Sequence, residues 1–126
     1  MIYGIGVDLV KVARIAAALK KHGERFLSRI FTIREIAHCQ GKVRAASMLS
    51  MRFAAKEAFS KALGVGLRKD GIRWQEVEVV PNSLGKPELS ITGRAAELCA
   101  AAGITGMHLT LSDEDSLALA VVILEK

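Results

Sequence analysis

The chain has 126 residues, 51% of them apolar and 25% charged, enough apolar material to bury about two-thirds of the unfolded surface in one core. Global disorder and a pair of full-sized domains are thereby excluded, and a single domain over residues 1–126 is expected. The net charge of +5 is unevenly placed: residues 1–52 hold ten Lys and Arg against three acids, whereas residues 53–126 hold eight against ten. The basic surface therefore belongs to the first half and points to an anionic partner. Only 5% of the residues are aromatic, so platforms for base stacking are lacking and nucleic acid is not the expected partner. The longest run without a charged residue, residues 98–112, contains two glycines and is too short to cross a bilayer, so no membrane partner is expected either. No basic leader and no cleavage site precede Asp8, which suggests a cytoplasmic address. Two cysteines in no recognisable pattern, Cys39 and Cys99, read as ordinary buried thiols.

In chain order, Ile2, Tyr3, Ile5, Val7 and Leu9 predict a first strand, whose Gly4 and Gly6 mark places where another backbone or a ligand comes close. This strand should be central in its sheet, with Asp8 at its end. From Lys11 to Gly23, Val12, Ile15, Ala16 and Leu19 share one face opposite Lys11, Arg14 and Lys21, an amphipathic basic helix. Thr32 followed by Glu35 has the spacing of a capping box and starts a short helix. Residues 44–63 contain no Gly or Pro and predict the longest helix, stopped by Gly64. After a glycine-spaced loop at 64–71, residues 72–80 alternate as a strand through Trp74, Val77 and Val79; a turn at 82–87 and a second strand with Leu89 and Ile91 complete a hairpin. Thr92 or Gly93 caps a helix that Gly103 ends, residues 107–112 alternate again with His108, Thr110 and Ser112 on a polar side, and 113–115 turn into an apolar strand at 117–124. The hairpins favour an α+β fold, a mostly antiparallel sheet packed with helices and one long buried helix, over a parallel doubly wound one.

The long helix carries the most informative departure from plain packing. Around Glu57 it is apolar on nearly every side, through Phe53, Ala54, Ala58, Phe59, Ala62 and Leu63, and such a helix is usually buried. Glu57 and Lys61 nevertheless share one stripe, and charges in that setting must be paired, hold a metal or line a cleft. The plain reading is an i,i+4 ion pair worth a few tenths of a kcal/mol. The sharper one adds Asp8, whose plain role would be to cap the helix that follows. Two carboxylates from separate elements, a lysine and glycine-flanked backbone suit Mg²⁺, which takes one or two protein carboxylates and keeps waters and substrate phosphates as its other ligands. His22 and His38 lack a metal-ligand constellation, and Asp113, Glu114 and Asp115 read as a hydrated turn.

Four segments carry a resemblance: residues 4–9 (Gly-Ile-Gly-Val-Asp-Leu), residues 52–64 (Arg-Phe-Ala-Ala-Lys-Glu-Ala-Phe-Ser-Lys-Ala-Leu-Gly), residues 84–87 (Leu-Gly-Lys-Pro) and residues 107–112 (Met-His-Leu-Thr-Leu-Ser). Together they make the chain similar to the short, bacterial type of holo-(acyl-carrier-protein) synthase, a 4′-phosphopantetheinyl transferase, over essentially its whole length. The resemblance implies transfer of the phosphopantetheine arm from coenzyme A to a serine of apo acyl carrier protein, leaving adenosine 3′,5′-bisphosphate, in the service of fatty acid biosynthesis. It implies that Asp8 and Glu57 hold Mg²⁺, that Lys61 neutralises the leaving phosphate, and that Glu57 is a candidate for the catalytic base. It also points His108, Arg52, Lys86 and Pro87 toward the coenzyme, and Arg14 and Lys21 toward the acidic carrier. Members of this type are homotrimers with each active site between two subunits, which leaves open whether Asp8 and Glu57 meet within one chain or across two. The competing readings are a basic RNA-binding module built on Lys11, Arg14 and Lys21, and a pyrophosphate hydrolase that uses the same carboxylates.

Overall fold

The computed structural model, which describes residues 1–126, runs β1 (Ile2–Lys11), α1 (Val12–His22), α2 (Glu24–Ile30), α3 (Ile33–Cys39), α4 (Ala45–Leu63), a 3₁₀ turn (Trp74–Glu76), β2 (Val77–Pro81), β3 (Pro87–Ile91), α5 (Gly93–Ala102), β4 (Gly106–Glu114) and β5 (Leu117–Glu125). Three strands form an antiparallel sheet in the order β1-β5-β4, and β2 and β3 make a separate antiparallel hairpin. The α+β, antiparallel expectation therefore holds. The expected central place of β1 does not: β5 occupies the centre and β1 is an edge, with Ile5, Val7 and Leu9 left 60%, 50% and 61% exposed on its outer side.

Residues alternate across this sheet, so its two faces differ in composition. The register aligns Gly6 with Val122 and Leu109, and Asp8 with Ala120 and Leu111, on the inner face. Helix α4 lies on that face, where Phe59, Ala120, Val122 and Leu124 are fully buried. Glycine is required here by close approach: a Cβ on Gly6 would overlap the Ala58 carbonyl oxygen, and one on Gly4 the Ala62 carbonyl oxygen. The neighbour that the two glycines announce is thus the α4 backbone. Gly64, in the left-handed region at φ 85°, ends the helix as expected.

The capping box at Thr32 and Glu35 is formed, with Glu35 N–H donating to Thr32 Oγ1 at 3.2 Å and Thr32 N–H to Glu35 Oε1 at 3.0 Å. Helix α2 escaped the sequence reading because Gly23 reads as a stop; Phe26, Leu27 and Ile30 supply a short apolar face that restarts the helix at once. The strand expected at 72–80 begins only at Val77, because residues 74–76 close a 3₁₀ turn in which the Glu76 N–H donates to the Arg73 carbonyl. Thr92 occupies the cap position of α5 without a side-chain bond, and the Ala95 N–H donates to Glu76 Oε1 instead. The turn expected at 113–115 is shorter: β4 continues through Glu114, and Asp113 forms an ion pair with Arg44. Cys39 and Cys99 are buried free thiols whose pKa burial raises.

Candidate active site

The site forms where the end of β1 meets the last two turns of α4. Asp8 lies two residues beyond Gly6 on the inner side of its strand, opposite Ala120, and its side chain is 16% exposed. The close seating of α4 brings Lys61 to it: Lys61 Nζ donates to Asp8 Oδ1 at 3.1 Å and to the Val7 carbonyl at 3.0 Å. Glu57 is one turn earlier on the same stripe and half-buried, and its carboxylate has no hydrogen-bond or ion-pair partner. Burial first, then the Asp8 charge, pushes the Glu57 carboxyl above its ordinary range, against the opposing pull of Lys61 and Arg14. Lys61 thus pairs across elements with Asp8 rather than along the helix with Glu57, and the plain i,i+4 reading is replaced. Nor does Asp8 cap α1, whose cap residue Lys11 has no side-chain bond.

Within a single chain the Asp8 charge acts on Glu57. Two carboxylates that repel one another, one of them unpartnered, form a donor set suited to a hard cation. No third His, Cys, Asp or Glu of the same chain groups with them, and Mg²⁺ is a cation that keeps coordination positions for water and phosphate oxygens.

The other residues named from sequence are dispersed. Arg14 borders the site, its guanidinium 5.7 Å from the centre of the Phe53 ring and its charge felt at Glu57. Lys21 lies two turns further along α1, in a basic last turn with Lys20 and His22. Arg52 is nine residues before Lys61, half a turn out of phase on α4. Only 5% exposed, it donates Nη1 to the Met48 carbonyl and leaves Nε without a partner, while its charge helps burial lower the His38 pKa. Lys86 is exposed in the β2–β3 turn and Pro87 opens β3, away from both carboxylates. His108 lies on the outer face of the sheet, opposite to Asp8, where its Nε2 meets Glu125 Oε1 at 2.5 Å. That face is not the polar one expected: the register aligns His108 with Ile123 and Ile5, and Thr110 with Val121 and Val7. None of the chain's cavities is lined by Asp8, Glu57 or Lys61; His108 borders one of about 200 Å³ with Leu109, Thr110, Val121 and Ile123.

Sequence reasoning passed over Lys56, Glu35 and Trp74, which build the other side of α4. Lys56 was quoted within a motif and Glu35 within a capping box, but nothing local showed that 21 residues apart they pair at 2.8 Å with both side chains fully buried. The available signal was a lysine in a helix otherwise apolar on that side.

Residues 4–122 match the family model of the 4′-phosphopantetheinyl transferase superfamily. The chain belongs to that family. It is 48% identical over its entire length to the holo-(acyl-carrier-protein) synthase of Geotalea daltonii, all of which is covered. Among solved structures it is similar to the holo-(acyl-carrier-protein) synthase of Neisseria meningitidis, at 38% identity and a TM-score of 0.91 with both chains fully covered. It is also similar to the Helicobacter pylori synthase in complex with coenzyme A, at 30% identity and a TM-score of 0.84, with 96% of this chain and 99% of that one covered.

Proposed function

We infer that residues 1–126 act as one holo-(acyl-carrier-protein) synthase domain, transferring 4′-phosphopantetheine from coenzyme A to a serine of apo acyl carrier protein. The observation that carries this reading is the meeting of Asp8, Glu57 and Lys61 at the glycine-enforced contact of β1 and α4. Asp8 and Glu57 would hold Mg²⁺, which would supply charge neutralisation at the diphosphate of coenzyme A.

The serine oxygen forms a bond to the β-phosphorus, and the bond to the bridging oxygen breaks, releasing adenosine 3′,5′-bisphosphate. Lys61, held by Asp8 and the Val7 carbonyl, neutralises the charge that develops on that leaving phosphate. Glu57, free of protein hydrogen bonds, is the candidate of this chain for accepting the serine proton. Arg14 and Lys21 orient the acidic carrier and raise its rate of encounter.

The exposed apolar face of Ile5, Val7 and Leu9 supports the homotrimer that the family resemblance implies, since contiguous apolar patches mark interfaces. The position of His108 on that face and the unpartnered Nε of Arg52 support a role for both toward coenzyme A in a site completed by a neighbouring copy. Lys86 and Pro87, at the tip of the hairpin, extend the same role. The setting is fatty acid biosynthesis in the cytoplasm, a reducing compartment that suits two free cysteines.

Mass spectrometry of apo carrier protein incubated with the chain, coenzyme A and Mg²⁺ tests the reading. A phosphopantetheine mass gain on the carrier is expected. Release of adenosine 3′,5′-bisphosphate without that gain would move the assignment to the pyrophosphate hydrolase.

A further inference from the structure

On the side of α4 away from Lys61, a fully satisfied ionic cluster ties four elements together. The Lys56 ammonium donates to Glu35 Oε1 at 2.8 Å, the Val77 carbonyl at 2.6 Å and the Trp74 carbonyl at 3.2 Å, using all three of its hydrogens. Glu35 in turn accepts from Thr32 N–H at 3.0 Å and Val79 N–H at 3.0 Å. The Trp74 indole stacks on Phe53, with ring centres 5.1 Å apart and planes at 21°, and Phe53 lies beneath the Arg14 guanidinium at 5.7 Å. A chain of contacts therefore runs from the buried pair, through the Trp74 carbonyl and then the two rings, to Arg14 at the border of Glu57.

We propose that the Glu35–Lys56 pair is a positioning device for carrier capture: it seats Trp74, and the Trp74–Phe53 stack then holds Arg14 where the acidic carrier meets the site. The proposal rests on the transferase reading, in which Arg14 faces the carrier. Lys56 touches no substrate and acts through Trp74. A buried ion pair is weak evidence for stability as such, because burial costs both charges their hydration. Here the two hydrogen bonds to the carbonyls that bracket the 3₁₀ turn give it a geometric task instead.

The test uses the full chain and the double substitution Glu35→Gln with Lys56→Met, which strands no charge, and follows Trp74, the only tryptophan, by its fluorescence. The expected result is a changed Trp74 emission with a carrier KM raised about fourfold, while kcat and the coenzyme KM stay within about twofold. Phe53→Leu breaks the stack and leaves the ion pair intact, and the same selective rise in carrier KM is expected; if the double variant fails to fold, Phe53→Leu alone decides. A carrier KM unchanged in either folded variant, or kcat and both KM values altered alike, overturns the proposal. Wild-type protein unable to modify the carrier overturns the transferase reading itself and this one with it.

Discussion

Helix α4 carries an ionic cluster on each of two sides, and the two are satisfied to different degrees. Toward α3 and β2, Lys56 and Glu35 are buried and every polar atom has its partner. Toward β1, Lys61 is half exposed and Glu57 has no partner. The first cluster has nothing left to offer a ligand. The second keeps an unmet demand for positive charge, a demand that repulsion between Asp8 and Glu57 sharpens. One helix thus separates a charged group whose bonds are all made from one left open to a ligand.

The largest effect expected on this contrast comes from Glu57→Gln. It removes one of the two carboxylates and the proposed proton acceptor while preserving shape, so transfer should fall by about 10³-fold or more in a protein that still folds. Near-normal turnover in the folded variant would end the contrast, since Glu57 would then be no more than a surface charge. Gly6→Ala is next. The added methyl meets the Ala58 carbonyl oxygen, an atom fixed in the helix, so α4 must move off β1. A loss of about 1–3 kcal/mol in chemical denaturation is expected, and with it weaker Mg²⁺ saturation of the reaction.

Acid acts with opposite sign on Glu57 and on Glu78, the β2 carboxylate paired with Arg34. Glu57 has a folded pKa raised above 4.5, so in metal-free protein its contribution is unfavourable at neutral pH and vanishes as pH falls below 4.5; stability is lost as pH rises through that window. Glu78, bonded to Arg34 and Thr32, has its pKa lowered despite the opposing effect of burial, so the stability it adds is present above 4.5 and lost as pH falls through the folded value. Thermal melts of metal-free wild type and Glu57→Gln should therefore coincide near pH 4 and diverge toward pH 7, the variant melting higher, and Mg²⁺ should close the gap by stabilising wild type alone. Equal melting curves at every pH would show that Glu57 is unperturbed.

What the sequence disclosed and what it hid divide along the same helix. Gly4, Gly6, Asp8, Glu57 and Lys61 were legible because glycine in a strand and charge in an apolar helix are local anomalies with few explanations. The edge position of β1 was hidden, because an apolar strand reads alike whether a second sheet layer or another copy of the chain covers it. The outer location of His108 was hidden for a related reason: alternation tells which residues share a face, but not which face turns toward α4. The Lys56 cluster was invisible because its partners come from residues 35, 74 and 77, and no spacing rule connects them.

The smallest effect expected is at Arg14. Its guanidinium stands over Phe53 at the border of the site, exposed to solvent, and a rim charge steers encounter more than it adds affinity. Arg14→Gln keeps much of the packing on the ring and removes the charge, so kcat/KM for the carrier should fall a few-fold, by roughly 3–10. The coenzyme KM should not change, and the decline of wild-type kcat/KM with added salt should flatten, because the lost attraction is the screened one. Arg14 also lowers the Glu57 pKa, so its removal should shift the acid limb of the Mg²⁺-dependent rate slightly upward. A fall in kcat/KM without the flatter salt dependence would place Arg14 in contact with the reacting groups rather than at the rim.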